Sequence, residues 1–336
     1  MSGPGHAVHA GPTVPTAHLR IHRFAALERG PKLIVTGAVH GNETAGTRGI
    51  ERVLGEIERG EIHIVRGTVT FVPVTNPLAY NHRRRFGDRN LNRRLLPSDA
   101  PQDNEDRIAN VLCPLLAEHD ALLDLHSFRS PGEPFVLRGP ADNSGLLEPF
   151  AREAEETRLV AHLGVKRVVD GWMTSYAEGV ARRRERALTP GAVNEHLAYG
   201  IGTTEYMRSV GGYAVTLECG QHDDPAGPDV AHHAIRQTLA LLGIAELPLV
   251  PPDPRSGPFE CLTLAQVIDR HAEGDRFVKS WTSFDPLAEG ELIALRADGS
   301  EVRAPAAGYI VFPDHGALPG HEWFYLARPS ARPISV

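Results

Sequence analysis

The sequence is poor in cysteine and has no long apolar segment, and both absences limit what the protein can be. Its three cysteines are far apart and form no CxxC pair, so we expect neither a disulfide framework nor a zinc site built from thiolates. No run approaches the roughly eighteen apolar residues of a transmembrane helix. The N-terminal segment also lacks the basic start and apolar stretch of a secretory signal. We therefore expect a cytoplasmic protein that does not associate with membranes.

Lysine is scarce as well, and the overall charge is negative. Only Lys32, Lys166 and Lys279 stand among 35 basic residues, and 42 acidic residues bring the net charge to -7. This balance argues against a protein that coats nucleic acid or an anionic membrane. With 336 residues, 41% of them hydrophobic, the chain should fold, and its length favours two domains. A homo-oligomer, most simply a dimer, is left open.

Short apolar runs alternate with helical patterns from residue 32 onward, which predicts an α/β layer fold. The run Lys32–Val39 is apolar on both faces and rich in β-branched residues, as in a buried strand. The arginine-rich run Arg182–Arg186 is interpreted as the solvated face of a helix. Other strands are predicted at residues 63–74, 121–125 and 213–217, and helices at residues 44–57, 104–118, 145–162 and 228–243.

A proline-rich segment divides the chain. Five prolines between residues 248 and 258 make a helix or an inner strand implausible there. We place a domain boundary in this segment, with a larger domain over residues 1–250 and a small all-β module over residues 257–336. Short strands of this module are predicted near residues 275–284, 291–296, 301–304, 308–313 and 323–327.

Two predicted strands end in histidines that could share a metal ion. The first runs into His40–Glu43 (HGNE), at the carboxyl end of a strand, where open α/β sheets place their ligands. A tight turn at Gly41 would let the His nitrogen and the Glu oxygen converge. The second strand ends in His126, and Asp124 could orient the metal-bound ring. An isolated HxxE is usually a surface pair and an isolated strand histidine usually a core residue, but together they predict a zinc site with a fourth position open for water.

A third strand, over residues 213–217, ends in Glu218 and Cys219. A carboxylate here that is not a metal ligand is well placed to take a proton from zinc-bound water and to return it to a leaving amine. Cys219 is interpreted as a small packing residue rather than a nucleophile.

An arginine-rich segment, residues 76–94, lies between the two histidine motifs and has six arginines in twelve residues. A solvated loop or a nucleic-acid patch are the alternatives, but the chain is acidic and no aromatic platform recurs with the basic residues. A guanidinium fork matches the geometry of a carboxylate, and an arginine can stabilise a developing oxyanion. We therefore expect this segment to bind substrate.

Taken in order, HGNE (40–43), NP…RRRFGDRNLNRR (76–94), DLHS (124–127) and LECG (217–220) resemble the succinylglutamate desuccinylase and aspartoacylase family, which is related to the zinc carboxypeptidases. The C-terminal GYIVF (308–312) and GHEWFYLA (320–327) also look like that family's β module. The resemblance implies a mixed central α/β sheet flanked by helices. It also implies that residues 1–250 form the catalytic domain and that the smaller module covers the active site.

The resemblance further implies a zinc-dependent hydrolase, a deacylase that cleaves the amide bond of an N-acyl amino acid or a related small N-acyl compound. One zinc ion per chain would be held by His40, Glu43 and His126. Glu218 takes the position of the general acid and base. Neither the acyl group nor the amine of the substrate is specified.

The family's substrate contacts fall in the arginine-rich segment. By resemblance, Arg85 polarises the scissile carbonyl, while Asn92 and Arg93 hold a carboxylate of the substrate. The family usually reads Asp-Leu-Asn-Arg, whereas this chain has Asn90 at the first place, which removes a charge near the site.

Two other interpretations stay open. A metallocarboxypeptidase acting on peptide C-termini would use the same zinc motif, although the β module, which narrows access in the resembling family, argues mildly against it. The module also resembles biotinyl and lipoyl carrier folds, but a carrier needs an exposed hairpin lysine, and only Lys279 follows residue 257. Whether Tyr309 or Tyr325 reaches the site is a further open point.

Overall fold

The computed structural model of the protein describes residues 18–186, 196–252 and 257–334. Most of the strands in these ranges form one sheet of eleven strands, and three others form a small second sheet. The strands are β1 (His22–Ala25), β2 (Glu28–Gly37), β3 (Arg66–Val72), β4 (Ala121–Phe128), β5 (Phe135–Leu137), β6 (Arg167–Asp170), β7 (Tyr213–Gln221), β8 (Glu260–Asp269), β9 (Arg276–Phe277), β10 (Pro286–Leu287), β11 (Leu292–Leu295), β12 (Glu301–Arg303), β13 (Gly308–Val311) and β14 (Glu322–Pro329).

The helices lie on both faces of the large sheet. None of those in the described ranges is long and apolar enough to cross a membrane. The α-helices are α1 (Ala45–Glu58), α2 (Pro77–Asn81), α3 (Asn104–Ala117), α4 (Glu153–Ala161), α5 (Trp172–Arg186), α6 (Thr203–Ser209) and α7 (Gly227–Leu241), and a 3-10 helix spans Leu197–Gly200.

The large sheet is mixed, in the order β1-β3-β2-β4-β7-β5-β6-β8-β14-β13-β10. Strands β3, β2, β4 and β7 are parallel neighbours, whereas β5 runs antiparallel to β7. The small sheet has the order β12-β11-β9. The predicted fold class, a mixed α/β sheet flanked by helices with a smaller all-β part, is confirmed.

The inner strands are apolar on both sides because each side is covered by helices. On β2, Leu33 and Val35 pack in a core cluster with α1, α4 and α7. The intervening Ile34 points to the opposite side and packs in a second cluster with α3 and α6. This arrangement explains why Lys32–Val39 shows no alternation of apolar and polar residues.

One predicted helix is shorter than expected. The pattern over residues 145–162 predicts a single helix, but α4 begins only at Glu153. Pro149 lacks the amide hydrogen and constrains the residue before it, which disfavours a helix there. Asn143 and Phe150 instead form an isolated β-bridge.

The prediction of a solvated face at Arg182–Arg186 is wrong for Arg183. Its side chain is buried, and its Nε and Nη2 donate to the two carboxylate oxygens of Asp269 at 3.0 and 2.7 Å. Arg184, by contrast, is exposed. The periodicity of a charged run does not reveal that one of its residues has a buried partner on β8.

The C-terminal strands continue the large sheet rather than standing apart from it. Strand β8, which was not predicted, pairs in parallel with β6 and antiparallel with β14. The strands predicted near residues 291–296, 301–304, 308–313 and 323–327 correspond to β11 to β14, while the one near 275–284 is reduced to β9. Residues 253–256 of the proline-rich segment lie outside the described residues, and the division at residues 250 and 257 stays a prediction.

Candidate metal centre and active-site cavity

The first metal-binding motif follows β2 directly. The chain leaves β2 at Gly37 and turns through Ala38, which has a φ of 46°, before it reaches His40. A side chain at Gly41 would place its Cβ 2.1 Å from the backbone carbon of Ala79. Only glycine therefore allows the turn to pack against α2 so closely.

Three buried side chains meet at this edge of the sheet. Because β2 and β4 are parallel neighbours, His126 on β4 lies beside the turn that carries His40 and Glu43. Nδ1 of His40 lies 2.8 Å from Glu43 Oε1, and Nδ1 of His126 lies 2.9 Å from Glu43 Oε2. One ligand atom from each of the three residues lies within 4.8 Å of the others. The three residues predicted as zinc ligands are thus brought together.

Hydrogen bonds behind the histidines set their orientation. Nε2 of His40 donates to Asn90 Oδ1 at 2.9 Å, and Nε2 of His126 donates to Asp124 Oδ2 at 2.9 Å. Asn90 Oδ1 also accepts from the amide of Asn92 at 2.9 Å. Each ring therefore turns its Nδ1 toward Glu43, as metal-bound histidines do when the other nitrogen is held by an outer acceptor.

The charges of these groups suit a divalent cation. Burial, with Arg85 nearby, lowers the pKa of His40 to about 4, which leaves a neutral imidazole. Its Nδ1 lies 2.8 Å from Glu43 Oε1, so a neutral nitrogen faces the carboxylate that would share the metal ion. Burial opposes ionisation of Glu43, yet His40 and His126 hold its pKa well below the usual range.

In the protein without metal, the pKa of His126 is shifted in the opposite direction to the pKa of His40. Burial disfavours its charged form, but Asp124 and Glu43 together raise its pKa well above the ordinary value. A metal ion would have to displace a proton from this ring, so binding should be coupled to proton release. The donor set of two imidazoles and one carboxylate fits zinc.

Glu218 lies beside this group on the neighbouring strand. In the parallel pairing of β4 and β7 it is the partner of His126. Its side chain is buried, and its Oε2 has no hydrogen-bond partner in the described part of the chain. Burial raises the pKa of Glu218 to about 8. A carboxyl with such a pKa can both accept and release a proton near neutral pH.

Arg85 approaches the same group from the arginine-rich loop. Its Nη1 donates to Glu43 Oε1 at 2.8 Å, and its backbone carbonyl accepts from Gly41 at 3.2 Å. The side chain is 43% exposed, so the guanidinium reaches the metal-binding residues from the solvent side.

Asn92 and Arg93, predicted to hold a substrate carboxylate, both already have partners. Asn92 Oδ1 accepts from the amide of Thr203 at 2.9 Å. Nη2 of Arg93 donates to Glu322 Oε2 at 2.7 Å, and its guanidinium lies 4.7 Å from the ring centre of Trp172. The sequence could not reveal the partner Glu322, which is 229 positions away in the chain.

All seven predicted site residues line one cavity of about 1080 Å³. Residues from α5, α6 and the C-terminal strands complete its wall, among them Trp172, Glu205 and Glu322. Tyr325 also lines the cavity, while both Tyr325 and Tyr309 pack in one apolar cluster.

Known proteins resemble the chain in part of its sequence and over nearly all of its fold. The family model of the succinylglutamate desuccinylase/aspartoacylase catalytic domain matches residues 29–131. No curated protein matches the chain.

Three solved structures have the same fold. A succinylglutamate desuccinylase/aspartoacylase from Rhodobacter sphaeroides is 16% identical to this chain, with a TM-score of 0.67. The match covers 93% of this chain and 90% of that protein. The product-bound ectoine utilization protein EutE (DoeB) from Ruegeria pomeroyi is 19% identical to this chain, with a TM-score of 0.67. The match covers 92% of this chain and 88% of that protein. An aspartoacylase family protein from Mesorhizobium loti is 21% identical to this chain, with a TM-score of 0.61. The match covers 94% of this chain and 90% of that protein.

At these identities the solved structures establish the fold, and the family model matches the segment that carries the first three of the four motifs. The resemblance predicted from the motifs is therefore confirmed: residues 29–131 match the catalytic-domain model of the succinylglutamate desuccinylase/aspartoacylase family, and the chain shares the fold of solved structures that carry those names.

Proposed function

We propose that the protein is a zinc-dependent deacylase that hydrolyses the amide bond of an N-acyl amino acid or a related small N-acyl compound. The observation that carries this proposal is the convergence of His40, Glu43 and His126 beside the buried carboxyl of Glu218, whose Oε2 has no hydrogen-bond partner among the described residues, in one large cavity. The family match supports the substrate class. A cytoplasmic location belongs to the same proposal.

The metal would be one zinc ion per chain, held by His40, Glu43 and His126. Bound there, zinc would supply a water that ionises near neutral pH and a positive charge close to the scissile carbonyl. Glu218 takes a proton from the attacking water as the new C–O bond forms. It then delivers that proton to the nitrogen as the C–N bond breaks, so that one water gives one acid and one amine.

The arginine-rich loop positions the substrate in this proposal. Arg85 donates to the carbonyl oxygen as negative charge develops on it. Asn92 and Arg93 bind the amino-acid half and fix its orientation before the reaction. Because Glu322 occupies one edge of the Arg93 guanidinium, a substrate carboxylate would have to share that guanidinium.

The first experiment measures zinc by elemental analysis in the wild type and in His126→Ala, together with amine release from N-acyl amino acids and dipeptides. We expect about one zinc per wild-type chain, because the open site has three protein ligands, and almost none in the variant. The exposed His63→Ala is the matched control and should keep zinc and activity.

The outcomes are distinct. Turnover of an N-acyl amino acid without dipeptide cleavage supports a deacylase, and the reverse identifies a carboxypeptidase. Zinc without turnover of any of these compounds would overturn the substrate class. No zinc in either protein after reconstitution would refute the metal site.

Asn90→Ala is expected to weaken zinc binding about 10- to 100-fold, because an outer hydrogen bond to a metal-bound histidine has that effect. The substitution removes the acceptor that holds Nε2 of His40 and the amide of Asn92. Competition with a chromophoric chelator measures the affinity. Asn90→Asp keeps an acceptor oxygen and should bind zinc at least as tightly as the wild type; equal affinities for wild type and Asn90→Ala would contradict the role of Asn90.

A further inference from the structure

A buried carboxylate that the proposed reaction does not use lies behind the arginine-rich segment. Glu105 on α3 is fully buried. Its two oxygens accept hydrogen bonds from four N–H groups of that segment. The donors are Nδ2 of Asn76 at 2.8 Å and the backbone amides of Gly87 at 2.9 Å, Asp88 at 3.1 Å and Arg89 at 3.2 Å. Because a carboxylate only accepts hydrogen bonds, four converging donors make Glu105 an anchor for this part of the chain.

The anchored points lie on either side of Arg85. Asn76 precedes α2, and its Oδ1 accepts from the amide of Ala79 at 3.2 Å. The carbonyl of Ala79 in turn accepts from the amide of Arg84 at 3.1 Å, directly before Arg85. On the other side, Gly87 is two residues beyond Arg85. One carboxylate therefore holds the backbone both before and after this arginine.

The contact at Gly87 is especially close. A side chain there would place its Cβ 2.4 Å from Glu105 Oε1. Gly87 is also the first buried residue after the exposed stretch 81–86. The segment is thus fixed at the point where it returns to the protein interior.

Arg85 has few other contacts that could fix it. Its Nη1 donates to Glu43, and its carbonyl accepts from the amide of Gly41. It makes no further hydrogen bond within the described residues, and its side chain is 43% exposed. The position of the guanidinium therefore depends on the backbone on either side of it.

The residues that follow Arg89 have anchors of their own. Arg89 Nη1 donates to the carbonyl of Arg93 at 2.7 Å, and its Nη2 donates to Asp106 at 2.7 Å. The amide of Arg93 donates to the carbonyl of Asn90 at 3.2 Å. Asn92 and Arg93 also have the side-chain partners described above. This stretch should therefore keep its place when the carboxylate behind the segment is lost.

We propose that Glu105 is a positioning residue, which holds Arg85 beside the metal-binding residues by anchoring the backbone before and after it. The proposal rests on the deacylase function proposed above. It implies that Glu105 affects the step in which Arg85 acts, the build-up of negative charge on the carbonyl oxygen. Substrate binding by Asn92 and Arg93 would be nearly independent of Glu105.

Glu105→Gln in the zinc-loaded full chain is the first test, with the N-acyl amino acid that the wild type hydrolyses fastest. Glutamine keeps one acceptor oxygen, but its amide nitrogen cannot accept, so part of the anchor is lost. We expect kcat to fall about 10- to 100-fold, because a displacement of about 1 Å can have such an effect. KM should change less than about threefold, because an interaction made only in the transition state does not contribute to it.

The control is Glu118→Gln, the same substitution at the exposed C-terminal end of α3, which should behave as the wild type. An unchanged kcat of Glu105→Gln, or a rise in KM alone, would overturn the proposal.

A double-mutant cycle with Arg85→Ala distinguishes the positioning of Arg85 from a general effect on the fold. If Glu105 acts through Arg85, then Glu105→Gln should lower kcat of the Arg85→Ala protein by less than about threefold, since the effects of coupled residues are not additive. Two independent effects would multiply and would overturn the proposal. Zinc content should be equal in all four proteins of the cycle, and its loss in Glu105→Gln would contradict a role through Arg85.

Gly87→Ala provides the same test if Glu105→Gln does not fold. The backbone of Gly87 has no positive φ, so alanine is compatible with its conformation. The added methyl group would instead press on the carboxylate and displace the segment without removing the buried charge. The same fall in kcat is expected, again with little further effect in Arg85→Ala. A folded Gly87→Ala with the kcat of the wild type would contradict the proposal.

Limited proteolysis tests the anchor without any turnover. We expect trypsin to cleave zinc-loaded Glu105→Gln after residues 83–85 at least about threefold faster than the wild type, because cleavage follows the local opening of a segment. Cleavage after Arg303, an exposed arginine on β12, should be unchanged. Equal rates in both proteins, or an equal rise after Arg303, would overturn the anchor. Faster cleavage confined to the segment, with no N-acyl amino acid hydrolysed by the wild type, would support the anchor and overturn the deacylase function.

Discussion

Replacing Glu218 by glutamine is expected to lower kcat of the zinc-loaded protein by about 10²- to 10⁴-fold, the usual contribution of a general acid and base. Glutamine has nearly the same shape, but it can neither take a proton from water nor give one to the leaving amine. The zinc ligands are untouched, so zinc content should stay at the wild-type level. Activity assays together with elemental analysis check both points, and a variant with undiminished kcat would refute the role of Glu218.

Thermal unfolding of the metal-free wild type and Glu218→Gln shows whether the variant is folded. The pKa of Glu218 is raised to about 8 in the folded protein, against roughly 4.3 in an unfolded chain. Between these values the unfolded chain loses a proton that the folded protein keeps, so this group lowers stability as the pH rises and has its full effect above about pH 8. Glu218→Gln should therefore melt several degrees higher than the wild type near pH 9, and the difference should vanish near pH 4.

The metal-binding motifs could be predicted because each lies at the end of a strand with its own local signal. Residues 32–39 and 121–125 are apolar runs with no alternation, which indicates buried parallel strands. Parallel strands end at the same edge of a sheet, so His40 and His126 were expected to meet there. The end of the strand over residues 213–217 indicated Glu218 in the same way, and the resemblance then assigned roles to Arg85, Asn92 and Arg93.

The far side of the cavity could not be predicted, because its residues come together only through tertiary structure. Glu205 lies on α6, a helix of seven residues that is too short to show a periodic apolar pattern. Arg183 looked like part of a solvated charged run, and its partner Asp269 lies on another strand. Glu322 pairs with Arg93 across 229 positions. Such pairs leave no trace in the spacing of residues along one chain.

Asp124→Ala is expected to lower the free energy of unfolding by about 3–5 kcal/mol, the effect of removing one partner from a buried charged pair. Asp124 is fully buried and accepts from Thr36 Oγ1 at 2.6 Å, from His126 Nε2 at 2.9 Å and from Thr203 Oγ1. These partners lie on β2, β4 and α6, so a single carboxylate connects two inner strands to α6. Urea denaturation of the metal-free proteins measures the loss.

The same substitution should also weaken zinc binding by about 10- to 100-fold, because the ring of His126 loses the acceptor that holds it. Asp124→Asn separates the two effects. Its carbonyl oxygen can still accept from His126 Nε2 and Thr203 Oγ1, which both donate to Oδ2 in the wild type, but the negative charge that raises the pKa of His126 is gone. If orientation by hydrogen bonding is what matters for the metal, Asp124→Asn should retain zinc at reduced affinity and recover part of the lost stability. If Asp124→Ala keeps both zinc and wild-type stability, then Asp124 does not connect the metal centre to the substrate cavity.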